Sequence, residues 1–261
     1  MTTDIQMTPV PGASLRVGLF ARFFSLSYAL IAYSIGAGAL FWFFFVAIGV
    51  APQVAVDLTG DQYFLGLLVN LLLVAMFGFQ HSVMARPAFK ARWTRIVPVH
   101  LERATYVLFS GLFLVPIIVF WQVMPGIVWQ VEHEGAALVL TIIACLGFAY
   151  LLFASFLTNH FELFGLRQAW LFAVNKPYTE LNFQTHWLYR FSRHPIMAGL
   201  LVLFWSTPDM TATRFSLALL LTAYIFVGVR IEEKTLIEQF GQTYADYRNR
   251  VGMFFTLRTT R

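Results

Sequence analysis

Six apolar runs, at about 23–50, 63–84, 102–123, 135–158, 196–207 and 212–230, occupy most of this chain. Away from water, such a run satisfies its own backbone N–H and C=O groups only as a helix or as part of a closed barrel. At ~1.5 Å per residue, each of the first four runs is long enough to cross a ~30 Å hydrocarbon core. The fifth has about a dozen residues before Pro208 and is too short for a straight crossing. It is expected as a tilted half of a tight hairpin with the sixth. The expected fold is all-α: a polytopic membrane helical bundle of about six spans, the fifth short, followed by a C-terminal helix. Only 12% of the 261 residues are charged, half the ~25% of a soluble domain. No linker or repeat divides the chain, so one membrane domain, 1–261, is expected. Residues 1–15 are polar and lack the apolar core of a cleavable signal peptide.

The basic residues orient this bundle. With six spans, 17 of the 18 Lys and Arg residues fall on one face and only Arg214 on the other. Basic residues flanking spans collect on the cytoplasmic side, so both termini are expected there, with the lipid bilayer as the first partner. The net charge of +5 thus reports topology and calls for no nucleic acid. The lone Cys145 lies inside an apolar run, which excludes an intrachain disulfide and a cysteine zinc site. No phosphate loop, GxGxxG turn or spaced histidine metal motif is present, and no metal is expected.

Charged and polar ring groups are costly at the ends of apolar helices and ask for a reason. Four clusters fall on the basic face: Gln80-His81-Ser82, Asn159-His160-Phe161-Glu162 running on to Arg167, Arg193-His194-Pro195, and Glu232-Glu233. His160 and Glu162 are two apart, so they share a face only if the helix ends there, and Gly165 is a candidate end. Bland roles exist for each: Arg193 as a topological anchor, Pro195 as a helix start, and Glu232–Tyr247 as an amphipathic interfacial helix.

The last cluster pair carries a resemblance. Arg193-His194-Pro195 with Gly199, then after about thirty residues Glu232-Glu233, Leu236, Phe240-Gly241, Tyr244 and Tyr247, resembles the isoprenylcysteine carboxyl methyltransferase and phospholipid methyltransferase superfamily of membrane enzymes. One letter departs: many relatives have Tyr at the position of Met197. Upstream, Phe79-Gln80-His81-Ser82, Trp93-Thr94-Arg95, Glu102-Arg103-Ala104-Thr105-Tyr106, Asn159–Gln168 and Phe204-Trp205-Ser206-Thr207-Pro208 resemble the bacterial methanethiol S-methyltransferases.

The resemblance implies a bacterial inner-membrane enzyme that uses S-adenosylmethionine to methylate methanethiol, and by extension hydrogen sulfide, to dimethyl sulfide. It implies a cofactor-binding part at about 190–255. Arg193 suits the cofactor carboxylate, and Glu232 or Glu233 its ribose hydroxyls or amine, only one of the two facing the ligand. His194 and Tyr244 or Tyr247 would hold the adenine, and Pro195 and Gly199 of the same motif count among the cofactor-binding residues. The base that takes the thiol proton is expected to be His160 or His81, with Glu162 as the alternative. Rival readings are a prenylcysteine or lipid methyltransferase and a non-catalytic membrane protein associated with nitrogen-oxide reduction.

Overall fold

The computed structural model describes residues 18–51, 62–179 and 187–256. Five of its helices are long and apolar enough to cross a membrane: α1 (Leu19–Ala47), α2 (Tyr63–Met84), α4 (Val99–Phe120), α5 (Glu134–Leu157) and α9 (Ala212–Phe240). Shorter helices lie between and after them: α3 (Pro87–Trp93), α6 (His160–Leu163), α7 (Leu166–Ala173), α8 (Pro195–Trp205) and α10 (Gln242–Arg250). Large side chains such as Phe20, Phe64 and Phe79 are exposed on the outer surface. Water disfavours such a surface and acyl chains accept it, so the chain is an integral membrane helical bundle.

The fifth apolar run is α8, and eleven residues give it a length of only about 16 Å. Beyond it the chain runs extended through Pro208 into a strand, β2 (Asp209–Thr211). This strand pairs antiparallel with β1 (Ile127–Gln130) from the α4–α5 connection. Val131 N–H donates to the Pro208 carbonyl, and the Trp129 indole donates to Thr207 O. The small sheet takes up the backbone groups that a longer helix would have satisfied internally. No such pairing was expected from the sequence.

Two helix pairs bring their backbones unusually close. A Cβ on Gly199 of α8 would lie 2.5 Å from the Gly147 carbonyl oxygen of α5, and a Cβ on Gly111 of α4 would lie 2.7 Å from the Gly36 Cα of α1. Apolar side chains gain little from leaving lipid for protein, so close packing at small residues holds such pairs together. An aromatic core lies between the pairs, with Phe44 and Phe148 stacked at 4.1 Å and Phe43 edge-on to Phe204. At one end of this core Asn70 accepts from Gln122 N–H and donates to Gln122 O, at 2.7 and 3.0 Å, with both residues buried.

These contacts sort the helix ends. The α1 C-terminus, the α2 N-terminus, the sheet and the α9 N-terminus share one end. The α2 C-terminus, α3, the α4 N-terminus, α6, α7 and the α9 C-terminus share the other, where the four polar clusters lie. At 29 residues, about 43 Å, α9 exceeds the ~30 Å core, so its last turns, with Glu232 and Glu233, stand beyond it.

Candidate functional site

At the C-terminal end of α9 the chain breaks at Gly241, whose φ of +56° suits glycine, and α10 folds back. The amphipathic stretch expected over Glu232–Tyr247 is therefore two helices. They close on themselves: Tyr244, Tyr247 and Val251 are buried against Leu236, Ile237 and Phe240. The Tyr247 hydroxyl donates to Tyr189 O at 2.7 Å, and its ring meets Tyr244 edge-on at 5.8 Å. Burial, then neighbouring Glu233, pushes the Tyr244 hydroxyl above its ordinary range, so it stays protonated.

The segment before α8 clasps this fold-back. Arg193 N–H donates to Gly252 O and His194 N–H to Met253 O, both at 3.0 Å. The Arg193 guanidinium donates through Nε to Glu233 Oε1 at 2.6 Å, and through Nη1 to the Arg248 carbonyl at 3.0 Å and to the Val251 carbonyl. Its side chain and that of Glu233 are only 9% and 8% exposed. Arg193 thus spends its fork on the protein. His194 lies between the two carboxylates, with Nε2 3.1 Å from Glu233 Oε1 and Nδ1 3.5 Å from Glu232 Oε2. Of the pair, Glu233 is consumed and Glu232, 52% exposed, keeps an open carboxylate. Pro195 opens α8 at its first helical position, and Gly199 faces Gly147 and Leu151 in the helix crossing.

Glu232 lies within electrostatic reach of the hydroxyls of Tyr106, Tyr189, Tyr224 and Tyr244. Thr158, Lys90, Glu102, Arg103, Glu162 and Tyr178 line a cleft of about 260 Å³. One polar region therefore runs from the His194 cluster past Tyr106 to Arg103 at the cleft. Arg103 ties its wall together: Nε donates to Leu163 O at 2.9 Å, and the guanidinium lies 5.0 Å from the Tyr106 ring centre. Burial, then the Arg103 cation, holds the Lys90 ammonium below its ordinary range, and Glu102 opposes the shift. Glu162 is bound by Arg167 at 2.8 Å and also accepts from Gln168 and Tyr178.

Both histidines expected as bases are set into hydroxyl networks. His81 Nδ1 lies 3.0 Å from Ser110 Oγ and Nε2 lies 2.8 Å from the Tyr106 hydroxyl. His160 Nδ1 lies 2.8 Å from Ser155 Oγ and Nε2 lies 3.0 Å from the Tyr33 hydroxyl, with the ring stacked on Phe156 at 4.4 Å. Asn159 at φ +72° and Gly165 at φ +82° bound the single turn of α6. This lets buried His160 point inward while Glu162 lines the cleft.

Burial holds the His160 imidazole below its ordinary 6.5. As pH falls below that value, the unfolded chain takes up a proton that the folded chain refuses, so stability falls. Between about pH 7.5 and about pH 5.5 the thermal midpoint is expected to drop more for the wild type than for His160→Gln. Equal drops would show that His160 does not contribute.

Lys90, Glu102, Arg103, Tyr106, Tyr178 and Tyr189 were not singled out as site residues from the sequence. Lys90 and Arg103 count there as orientation charges. A signal was available for one pair: Arg103 and Tyr106 are three apart at the start of α4 and so share a face.

The chain is 45% identical over 212 residues to methanethiol S-methyltransferase of Mycobacterium tuberculosis, covering 79% of this chain and 87% of that one. It belongs to the methanethiol S-methyltransferase family. Methanethiol S-methyltransferase 1 of Bradyrhizobium diazoefficiens is 36% identical over 98% of this chain and 93% of its own length. The Pseudomonas deceptionensis protein of the same name is 46% identical over 74% of each chain. No family model matches the sequence, and no solved structure matches it. For this family member, the first relative's coverage extends the likeness well beyond the C-terminal motif.

Proposed function

We propose that this chain transfers a methyl group from S-adenosylmethionine to methanethiol, giving dimethyl sulfide. The observation that carries the reading is the donor set around one polar region. Glu232 keeps an open carboxylate beside His194, and two cations, Lys90 and Arg103, line the cleft. The cofactor is a zwitterion with an adenosine attached, and it needs both signs. Lys90 and Arg103 would receive its carboxylate, and Glu232 its amine or ribose hydroxyls. Arg193, His194 and Glu233 then position Glu232 and the C-terminal segment. When bound, S-adenosylmethionine supplies the methyl as a substituent of an electrophilic sulfonium and departs as S-adenosylhomocysteine.

The protein's own work is to hold the thiol in line with that methyl and to take its proton. Such positioning is worth about 7–11 kcal/mol in favourable cases. A thiolate attacks where a thiol does not. His81 reaches the polar region through the Tyr106 hydroxyl, so the thiol proton passes to Tyr106 as the Tyr106 proton passes to His81. Ser110 fixes the far nitrogen of that ring. His160 braces α6 and positions the Glu162 wall.

We infer that the end bearing these groups faces the cytoplasm, as its basic residues require. The prenylcysteine, lipid and nitrogen-oxide readings are not favoured, because the relatives named above are methanethiol S-methyltransferases.

Membranes carrying the protein, given methanethiol and S-adenosylmethionine, are expected to release dimethyl sulfide into the headspace. Absence of that product from wild-type membranes would overturn the reading. Glu232→Gln is expected to raise the cofactor KM about tenfold or more at a wild-type thermal midpoint. An unchanged KM would remove Glu232 from the cofactor's contacts.

A further inference from the structure

At the end of the bundle opposite this site lies a second cavity, of about 170 Å³. That is more than five times the ~30 Å³ share of a liquid water. Val46, Ala47 and Leu217 form apolar walls, and Trp121, Thr213 and Arg214 supply the polar groups. Trp121 is fully buried, and its indole N–H has no hydrogen-bond partner. A buried donor left unmade costs about 1–3 kcal/mol. The Thr213 hydroxyl is already engaged, accepting from Met124 N–H and donating to Met124 O.

Arg214 uses Nη1 on Thr207 Oγ1 and the Asp209 carbonyl, each at 3.0 Å. No carboxylate pairs with it among the described residues. Gly49 makes room for the guanidinium: its φ is +79°, and a Cβ there would lie 2.6 Å from Arg214 Nη2. Among the described residues, the wall thus offers an indole donor, guanidinium donors and a cation paired with no carboxylate. A cavity made of donors and one cation fits a group that is all acceptor and negative.

We propose that this cavity binds a phosphate-type oxyanion at the far end of the bundle, where the helix ends and the β1–β2 sheet lie. The oxyanion is either the phosphodiester of an anionic lipid headgroup or free inorganic phosphate. It sits between the Arg214 guanidinium and the Trp121 indole N–H. This site is independent of methyl transfer.

The test uses the full chain in non-ionic detergent. Thermal midpoints are measured against short-chain phosphatidylglycerol, inorganic phosphate and uncharged short-chain diacylglycerol. A saturable rise with phosphatidylglycerol is expected, with about tenfold weaker apparent affinity in Arg214→Gln and in Trp121→Phe. A rise with phosphatidylglycerol alone identifies a lipid headgroup, and an equal rise with inorganic phosphate identifies the free ion. Trp121→Phe keeps an aromatic ring and serves where Arg214→Gln fails to fold, as judged by circular dichroism. No rise with either phosphate compound, an equal rise with diacylglycerol, or a rise undiminished in the folded variants would overturn the proposal.

Discussion

Arg193→Ala is expected to release the C-terminal fold-back and to abolish tight cofactor binding together. The substitution strands the Glu233 carboxylate, 8% exposed, and two carbonyls, those of Arg248 and Val251. Removing one partner of a buried ion pair costs about 3–5 kcal/mol. His194 Nε2 remains 3.1 Å from Glu233 Oε1 and softens the loss without replacing the guanidinium. Without the guanidinium, the segment after Tyr247 is tied to the residues before α8 mainly by the Arg193, His194 and Ser192 contacts to Gly252 and Met253. Glu232 then loses its fixed position, and a misplacement of about 1 Å is enough to cost 100-fold in rate.

Hydrogen exchange in α10 and cofactor affinity measured on one preparation separate positioning from direct contact. Faster exchange with weaker binding is the expected result. Weaker binding with α10 exchange unchanged would mean that Arg193 touches the cofactor itself. Arg193→Lys should recover little, because one ammonium cannot reproduce a guanidinium that serves a carboxylate and two carbonyls at once.

The second large effect is expected at Gly165. A Cβ there would lie 2.3 Å from Ala104 N and 2.7 Å from Ala104 Cα, and the residue holds φ +82°. The left-handed conformation costs an alanine roughly 1–2 kcal/mol. Forcing a methyl against backbone adds about 1–3 kcal/mol. The strain falls next to Arg103, whose bond to Leu163 O joins α6 to α4. Gly165→Ala should therefore lower the thermal midpoint and also weaken cofactor binding by opening the cleft wall. Gly228→Ala is the control, since a Cβ at that helical position meets nothing within 4 Å. Equal behaviour of the two variants would show that the α4 contact is not what holds the cleft.

The helices were legible because apolar length alone nearly dictates them, and Gly165 marks an end of α6 where it was expected. The short α8 was legible from Pro195 and Pro208. What stayed hidden depends on partners distant in sequence. Strand β1 pairs with β2 across about eighty residues, and neither segment is longer than four. The partners of Arg193, beyond Glu233, are backbone carbonyls, and a carbonyl has no residue type to recognise. Lys90 was visible only as a charge on the correct face, and Arg103 only as such a charge and as one letter of an upstream motif with no role attached, because the same residues that orient a membrane chain also line its cleft. The exposure difference between Glu232 and Glu233 emerges only when α10 folds back over one of them.

The half-length α8 also sets an order of assembly. Eleven residues are too few for a segment to be held across a bilayer by its own apolarity. It must be received by a surface already in place, and Gly147 on α5 provides one. The strand that completes α8 likewise needs β1 waiting beside it. Synthesis delivers α5 and β1 first, so the receiving surface precedes its guest. The residues that close the candidate site, Gly252 and Met253, follow all five long helices out of the ribosome. The candidate site is therefore closed only when the segment of Gly252 and Met253 docks, and a chain truncated before Gly252 would be expected to insert and pack but stay inert.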